Sequence, residues 1–147
     1  MNSSNTNEGG WKNSEIRTYV NNDVCNALPS DLQAVIKEVN KVSDNGNGDK
    51  TTLNITKDKL FLLSLEEVGF ISNDVYGYNV AGQGMKYEYF TDDNSREKQY
   101  LSGELSYWWL RSAYANNTNF FFYVFSDGNW DGGYADSTVG VAPAFCI

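Results

Sequence analysis

Residues 107–137 read "YWWLRSAYANNTNFFFYVFSDGNWDGGYADS". "YWWLRS" and "FFFYVFS" have the aromatic and β-branched content of strands, and the Asn, Asp, Gly and Ser around them have the content of turns. From residue 112 the stretch holds four Phe, three Tyr and one Trp, and no Lys, Glu, Gln or Met. Neighbouring side chains on a strand point to opposite faces. One of Trp108 and Trp109 is therefore expected in the core and the other on the far face. By the same alternation Phe121, Tyr123 and Phe125 share one side, and Phe120, Phe122 and Val124 the other. One side can be buried, and the other leaves large aromatics near solvent. Arg111 is expected to be scaffold, stacked on a ring or paired with a carboxylate.

Working outward, "VGVAPAFCI" at the C-terminus is expected as a third strand. "WKNSEIRTYVNNDVCNAL" places Ile16, Tyr19, Val20, Val24 and Leu28 at helical spacing, with Asn13 or Ser14 as cap and "NND" as a break between two short helices. Pro29 ends that run, and "SDLQ" at 30–33 has the capping-box pattern of another helix with Leu32, Val35 and Ile36 inward. "EVNKV" alternates as a strand before the turn cluster "SDNGNGDK". "KLFLLS" at 59–64 reads as a short apolar strand, and "SLEE" as a capping box opening one helical turn. Residues 69–104 read as irregular, with a short helix near "MKYEYF". The expected fold class is α+β: short N-terminal helices, then a small antiparallel sheet with long irregular loops. Residues 1–10, polar and Gly/Asn-rich, are expected as a disordered leader, with a single domain over 11–147.

Composition narrows the function classes. The 147 residues carry 41% hydrophobic and 15% aromatic side chains, enough for one core. The net charge of −8 and the absence of any basic run speak against nucleic acid. No apolar stretch reaches the length of a membrane span, and no signal-peptide pattern opens the chain. The sequence has no histidine, which removes His-based triads and His metal sites. Cys25 and Cys146 are too far apart for a metal knuckle and leave open whether they pair. Glu66 and Glu67 read as the acidic first turn of a helix. Asp127, Asn129 and Asp131 before Gly132 resemble the opening of a calcium loop, but Thr138 stands where its last acidic ligand belongs, so a turn is the preferred reading. No cofactor, no metal and no catalysis are expected.

"GGWKNSEIRTYVNND", "LPSDLQAVIKEV", "TTLNITKDKLFLLSLEEV", "YWWLRSAY" and "GVAPAFCI" together resemble a family of bacterial and phage domains of unknown function. These are grouped with the C-type-lectin-like fold of formylglycine-generating enzymes. The resemblance spans about residues 10–147. Ala113 stands where the family carries Pro, and the catalytic cysteines of the formylglycine-generating enzymes have no counterpart. The resemblance also lacks the strand pair that precedes the first helix in family members, which suggests a specialised domain or one completed by a partner. It implies a C-type-lectin-like fold serving as a ligand-binding module, without the motifs of calcium-dependent sugar binding.

The chain is similar in a further way to the variable proteins of diversity-generating retroelements, in which adenines of a C-terminal coding segment are randomised. Randomising both adenines of an AAC or AAT codon reaches every residue type except Lys, Glu, Gln, Met and Trp. Residues 1–110 contain 21 Lys, Glu, Gln and Met, and residues 111–147 contain none. Trp130 would be a fixed position. The resulting expectation is a receptor-type domain for a protein or glycan on a cell or phage surface. Its contact residues are Tyr114, Asn116, Asn117, Asn119, Phe121, Tyr123, Phe125, Asp127, Asn129, Trp130, Asp131, Tyr134 and Asp136, an aromatic and Asn-rich composition suited to contact surfaces. The alternative is a structural or adhesin-like assembly domain with a fixed aromatic interface, as a homo-oligomer or fused to a parent chain.

Overall fold

The computed structural model describes residues 1–70 and 80–147. Part of "YGYNVAGQG" falls outside them. Short helices come first: α1 (Gly10–Asn13), α2 (Glu15–Tyr19), α3 (Cys25–Ala27) and α4 (Ser30–Val35), with a π-helical turn at Val20–Val24 between α2 and α3. Ser14 is the cap of α2 and accepts a hydrogen bond from the Arg17 N–H. "NND" does not break the helix but lies in the wider π turn. There Asn21 accepts from the Lys59 and Leu60 amides and donates to the Leu60 carbonyl. Tyr19 and Val35, expected inward, are exposed. The Ser30 capping box does not form, because the Gln33 amide instead donates to the Asn26 and Leu28 carbonyls.

Strands β1 (Val39–Asp44) and β2 (Leu53–Asp58) form an antiparallel hairpin. β2 was hidden in the sequence because its phase is inverted: Leu53 and Ile55 are exposed while Thr56 and Asp58 are buried. The buried Asp58 has structural partners. It accepts from the Trp11 indole at 2.9 Å, the Thr56 hydroxyl at 2.6 Å and Arg17 Nε at 2.7 Å. "KLFLLS" makes only one bridge, Phe61 to Ala144, although Leu60–Leu63 are all buried. "SLEE" forms reciprocal capping-box bonds without a regular helix: Ser64 Oγ accepts from the Glu67 N–H, and a Glu67 carboxylate oxygen accepts from the Ser64 N–H. The region near "MKYEYF" is a turn and not a helix. A 3-10 turn at Asn94–Arg96 and a small hairpin, β3 (Lys98–Gln99) and β4 (Leu105–Ser106), follow.

The main sheet is β5 (Trp108–Ala113), β6 (Phe120–Val124) and β7 (Trp130–Tyr134), antiparallel in that order. β5 is buried along its whole length. β6 pairs with one edge, and on the other the Arg111 N–H donates to the Leu63 carbonyl and the Trp109 N–H to the Gly140 carbonyl. Both Trp108 and Trp109 are therefore core, since the strand is covered on both faces. "VGVAPAFCI" is not a strand but a series of single bridges at Gly140, Ala144 and Cys146. Pro143 lies among them, and proline removes a ladder donor and fixes φ. Residues 1–10, expected as disordered, pack against the domain: Met1 and Asn7 are buried, and the Asn2 N–H donates to the Ala135 carbonyl. Cys25 and Cys146 are not disulfide-bonded. No helix among the described residues is long and apolar enough to cross a membrane.

Behind the sheet lies a buried ionic group. Glu67 pairs with Arg111 and, at 2.5 Å, with Lys41. Burial pushes the Glu67 carboxyl up, but the Arg111 and Lys41 charges more than reverse that and hold it below the ordinary range. Burial and the Arg111 charge draw the Lys41 ammonium down. Nearby, Asp44 accepts from the Ala113 N–H at 2.9 Å and the Gln83 amide at 2.8 Å. Its other oxygen has no hydrogen bond of good geometry among the described residues. Burial raises the Asp44 carboxyl from 3.8 to about 7, against those two bonds.

The sign of the consequence follows from proton linkage. Between the two values the folded chain holds a proton that the unfolded chain has released, so Asp44 makes stability fall as pH rises through this window. Glu67 acts oppositely, but only below its ordinary 4.5. Urea unfolding at about pH 4.7 and about pH 5.6, below the range where the partly buried Met1 amine (lowered from 8.0 to about 6) acts oppositely, is expected to show a higher midpoint at the lower pH, and Asp44→Asn to remove most of the difference. An unchanged slope in the variant would refute this role for Asp44.

Candidate functional site

The site is built on the outer half of the main sheet. The β6–β7 register pairs Phe120 with Tyr134, Phe122 with Gly132 and Val124 with Trp130 on one face. It pairs Phe121 with Gly133 and Tyr123 with Asp131 on the other. On the first face Tyr114 stacks on Phe122 with centroids 4.0 Å apart and meets Phe120 edge-on at 5.7 Å. Trp130 meets Phe122 edge-on at 5.7 Å and Phe70 at 6.5 Å. Gly132 makes this packing possible, since a Cβ there would lie 2.3 Å from the Tyr114 ring. The outcome is a cleft of about 370 Å³ lined by Tyr114, Asn116, Asn117, Phe120, Trp130 and Asp131.

The loop that carries Asn116 and Asn117 is pinned from the far end of the chain. Asn7 Nδ2 donates to the Asn117 carbonyl at 2.8 Å and the Phe120 carbonyl at 2.9 Å, with a longer contact of 3.4 Å to the Tyr114 carbonyl. Asn7 Oδ1 accepts from the Asn47 N–H at 2.7 Å. The β1–β2 turn lies against Asn7 so closely that a Cβ at Gly46, where φ is +61°, would sit 1.9 Å from the Asn7 carbonyl oxygen. One buried amide thus joins the hairpin turn to the loop at the cleft.

The structure sorts the thirteen expected contact residues into groups. Asn116, Asn117, Trp130 and Asp131 meet in the cleft over Tyr114, which is itself buried against Phe122, and Tyr134 stands exposed beside Phe120 at 4.6 Å. Phe121 is a correction: it is fully buried core. Tyr123 and Phe125 lie on the opposite face, where they form a cluster with Tyr107 and Trp109. Tyr123 therefore does not share a surface with Trp130 and Tyr134. Burial raises its phenol, as do the neighbouring Asp131 and Tyr107. Asn119 is half-buried, its N–H donating to Asn117 Oδ1 and its carbonyl accepting from the Ala135 N–H. Asp127 and Asn129 are exposed at the β6–β7 turn, and Asp136 follows β7.

Residues 127–134, where a turn was the preferred reading and no strand was expected, are a turn followed by the edge strand β7. Asp127, Asn129 and Asp131 each spend a side-chain oxygen on a nearby N–H, those of Asn129, Trp130 and Gly132. Asn7 and Phe120 were missed. The alternation in "FFFYVF" matches the β6–β7 register, while the cleft lies on the Phe122 side and Tyr123 and Phe125 face away from it. The glycine opposite Phe122 was the signal for the cleft.

The class so defined is an α+β domain with an aromatic cleft at the open edge of a small antiparallel sheet. Over residues 1–147 the chain matches the family described as a domain of unknown function, DUF6273, and belongs to it. No curated protein and no solved structure matches the chain.

Replacing Asn7 by Ala leaves the bonded carbonyls of the 114–120 loop without their donor. A loss of about 1–3 kcal/mol is expected in urea unfolding, with faster amide exchange at residues 116–119. Exchange at those amides equal to that of the parent chain would show that Asn7 does not hold the loop.

Proposed function

We propose that the chain is a non-catalytic, receptor-type ligand-binding domain with a C-type-lectin-like fold, whose C-terminal surface is the contact face. The observation that carries the reading is the convergence of Tyr114, Asn116, Asn117, Trp130 and Asp131 on one cleft, set on a sheet whose first strand, β5, is wholly buried. Rigid frames with binding residues on their loops and edges separate recognition from folding. The ligand is a protein or glycan on a cell or phage surface.

The same reading includes diversification of the segment by a retroelement. Asn116, Asp127, Asn129, Asp131, Tyr134 and Asp136 are exposed, so substitutions there change stability little, within about 0.5 kcal/mol. Deep sequencing of the 3′ end of the gene across a population of its source is expected to place variation at adenine-containing codons of these positions. "YWWLR" and Gly132 should stay constant. Variation no higher than in residues 11–110 would remove diversification and leave a fixed binding face.

The assembly reading is favoured by one feature, an apolar patch on the β3–β4 hairpin. Leu101 is fully exposed at its tip, with Tyr100, Leu105 and Tyr107 exposed beside it. Size-exclusion chromatography with light scattering distinguishes the two. The receptor reading expects a monomer, and a stable oligomer that Leu101→Ser dissociates would establish the hairpin as an assembly surface.

A further inference from the structure

We propose that the cleft takes a quaternary or methylated ammonium group, a deepening that rests on the reading of this face as a binding surface. Three of its six lining residues, Tyr114, Phe120 and Trp130, are aromatic, one is the acid Asp131, and none is cationic. Aromatic rings attract a cation through the negative potential of their faces, most strongly for Trp, and the attraction grows when the cation is shielded from water. Two cations stand near Phe70, the neighbour of Trp130: Arg96, which lies over that ring but is buried and paired with Asp93, and Lys86, which lines the adjoining pocket. Neither lines the cleft, Arg111 is buried and paired with Glu67, and the whole chain carries −8. A field of that sign concentrates cations at the surface.

The hydrogen bonds on the rim separate this ligand from a neutral one. Asn117 Oδ1 is engaged by the Asn119 N–H, and its carbonyl by Asn7. Asp131 folds along the outer edge of β7, where Oδ1 accepts from the Gly132 N–H at 2.7 Å. Acceptors that a sugar's hydroxyls would need are thus partly spent on the chain's own backbone. The register puts Asp131 on the Tyr123 face, so its carboxylate supplies charge at the cleft's outer rim and not among the rings. A methylated ammonium needs charge and ring surface but no directed acceptor. The volume of about 370 Å³ is at the small end for ligand pockets and suits a headgroup.

The test uses the whole chain, labelled for NMR, titrated with choline and with 3,3-dimethylbutan-1-ol, its uncharged isostere. Choline is expected to shift the Trp130 indole and the Asn116, Asn117 and Gly132 amides saturably. The isostere should bind about tenfold more weakly. Asp131→Asn, which keeps the bond to Gly132, should weaken choline by about threefold or more, and Trp130→Ala should abolish the shifts. Equal binding of choline and isostere overturns the inference, as does choline binding unaffected by Asp131→Asn, and both tests stand even if Trp130→Ala does not fold. If methyl glycosides shift these residues and choline does not, the ammonium assignment falls and the binding-face reading stands. If neither class shifts them and the coding segment is also invariant, both fall.

Discussion

A single guanidinium holds the separate parts of this chain in place. Arg111 Nε donates to the Val42 carbonyl and Nη1 to the Leu62 carbonyl, each at 2.9 Å, while Nη1 also meets Glu67 and Nη2 the Gln83 carbonyl. Its fork of donors is thus shared among β1, the 60–67 segment and the backbone at residue 83. Desolvating such a charge costs several kcal/mol, and the ionic partners recover that only if every donor and acceptor is met. Lys41 and the Ser64 capping geometry complete the set around Glu67. An alternative packing of these segments would leave at least one buried charge unpaired. The ionic group therefore selects one arrangement rather than adding much net stability.

That selection passes to the functional surface through β5. With Arg111 fixed, the strand's two tryptophans are held in the core, the Trp108 indole bonded to the Arg96 carbonyl at 2.9 Å. Arg96 in turn lies over Phe70, with 4.3 Å between its guanidinium carbon and the ring centre, and Phe70 abuts Trp130 at the cleft. On the other side, Asn7 carries the position of the β1–β2 turn to the 114–120 loop. The cleft thus has two supports, one through the core and one through the N-terminal segment, and its rings need little reordering to receive a ligand.

Much of this was legible before the structure, and the failures share a cause. Alternation in "FFFYVF", the Ser14 cap, the β1 strand and the scaffold role of Arg111 rest on local rules that the sequence carries in full. β2 failed because its buried face is polar, an arrangement made favourable by partners such as Trp11 and Arg17, more than forty residues from Asp58. β7 failed because "WDGGY" has turn composition. Its Gly132 serves the close approach of Tyr114 and its Gly133 that of Tyr123 and Trp109, which no local rule contains. Glu67 read as a helix-start acid, and locally it is one. Its partners Lys41 and Arg111 lie 26 and 44 residues away. The expected contact residues divide between two faces of β6, since choosing a face requires knowing what covers the other.

The edge of the sheet shows why composition alone misled. Asn119 pairs with Ala135 and Phe125 with Asn129 in the ladder, so the N–H groups of Trp130 and Gly132 point away from β6. An open edge of this kind invites another strand to pair with it. Here Asn129 and Asp131 turn their own side-chain oxygens onto those two N–H groups. The Asn and Asp residues that give the segment the look of a polar contact surface thus serve first to close the edge. On the proposed reading, recognition at this face relies on ring surface and charge more than on directed polar contacts, and strand addition along β7 is disfavoured by the same bonds.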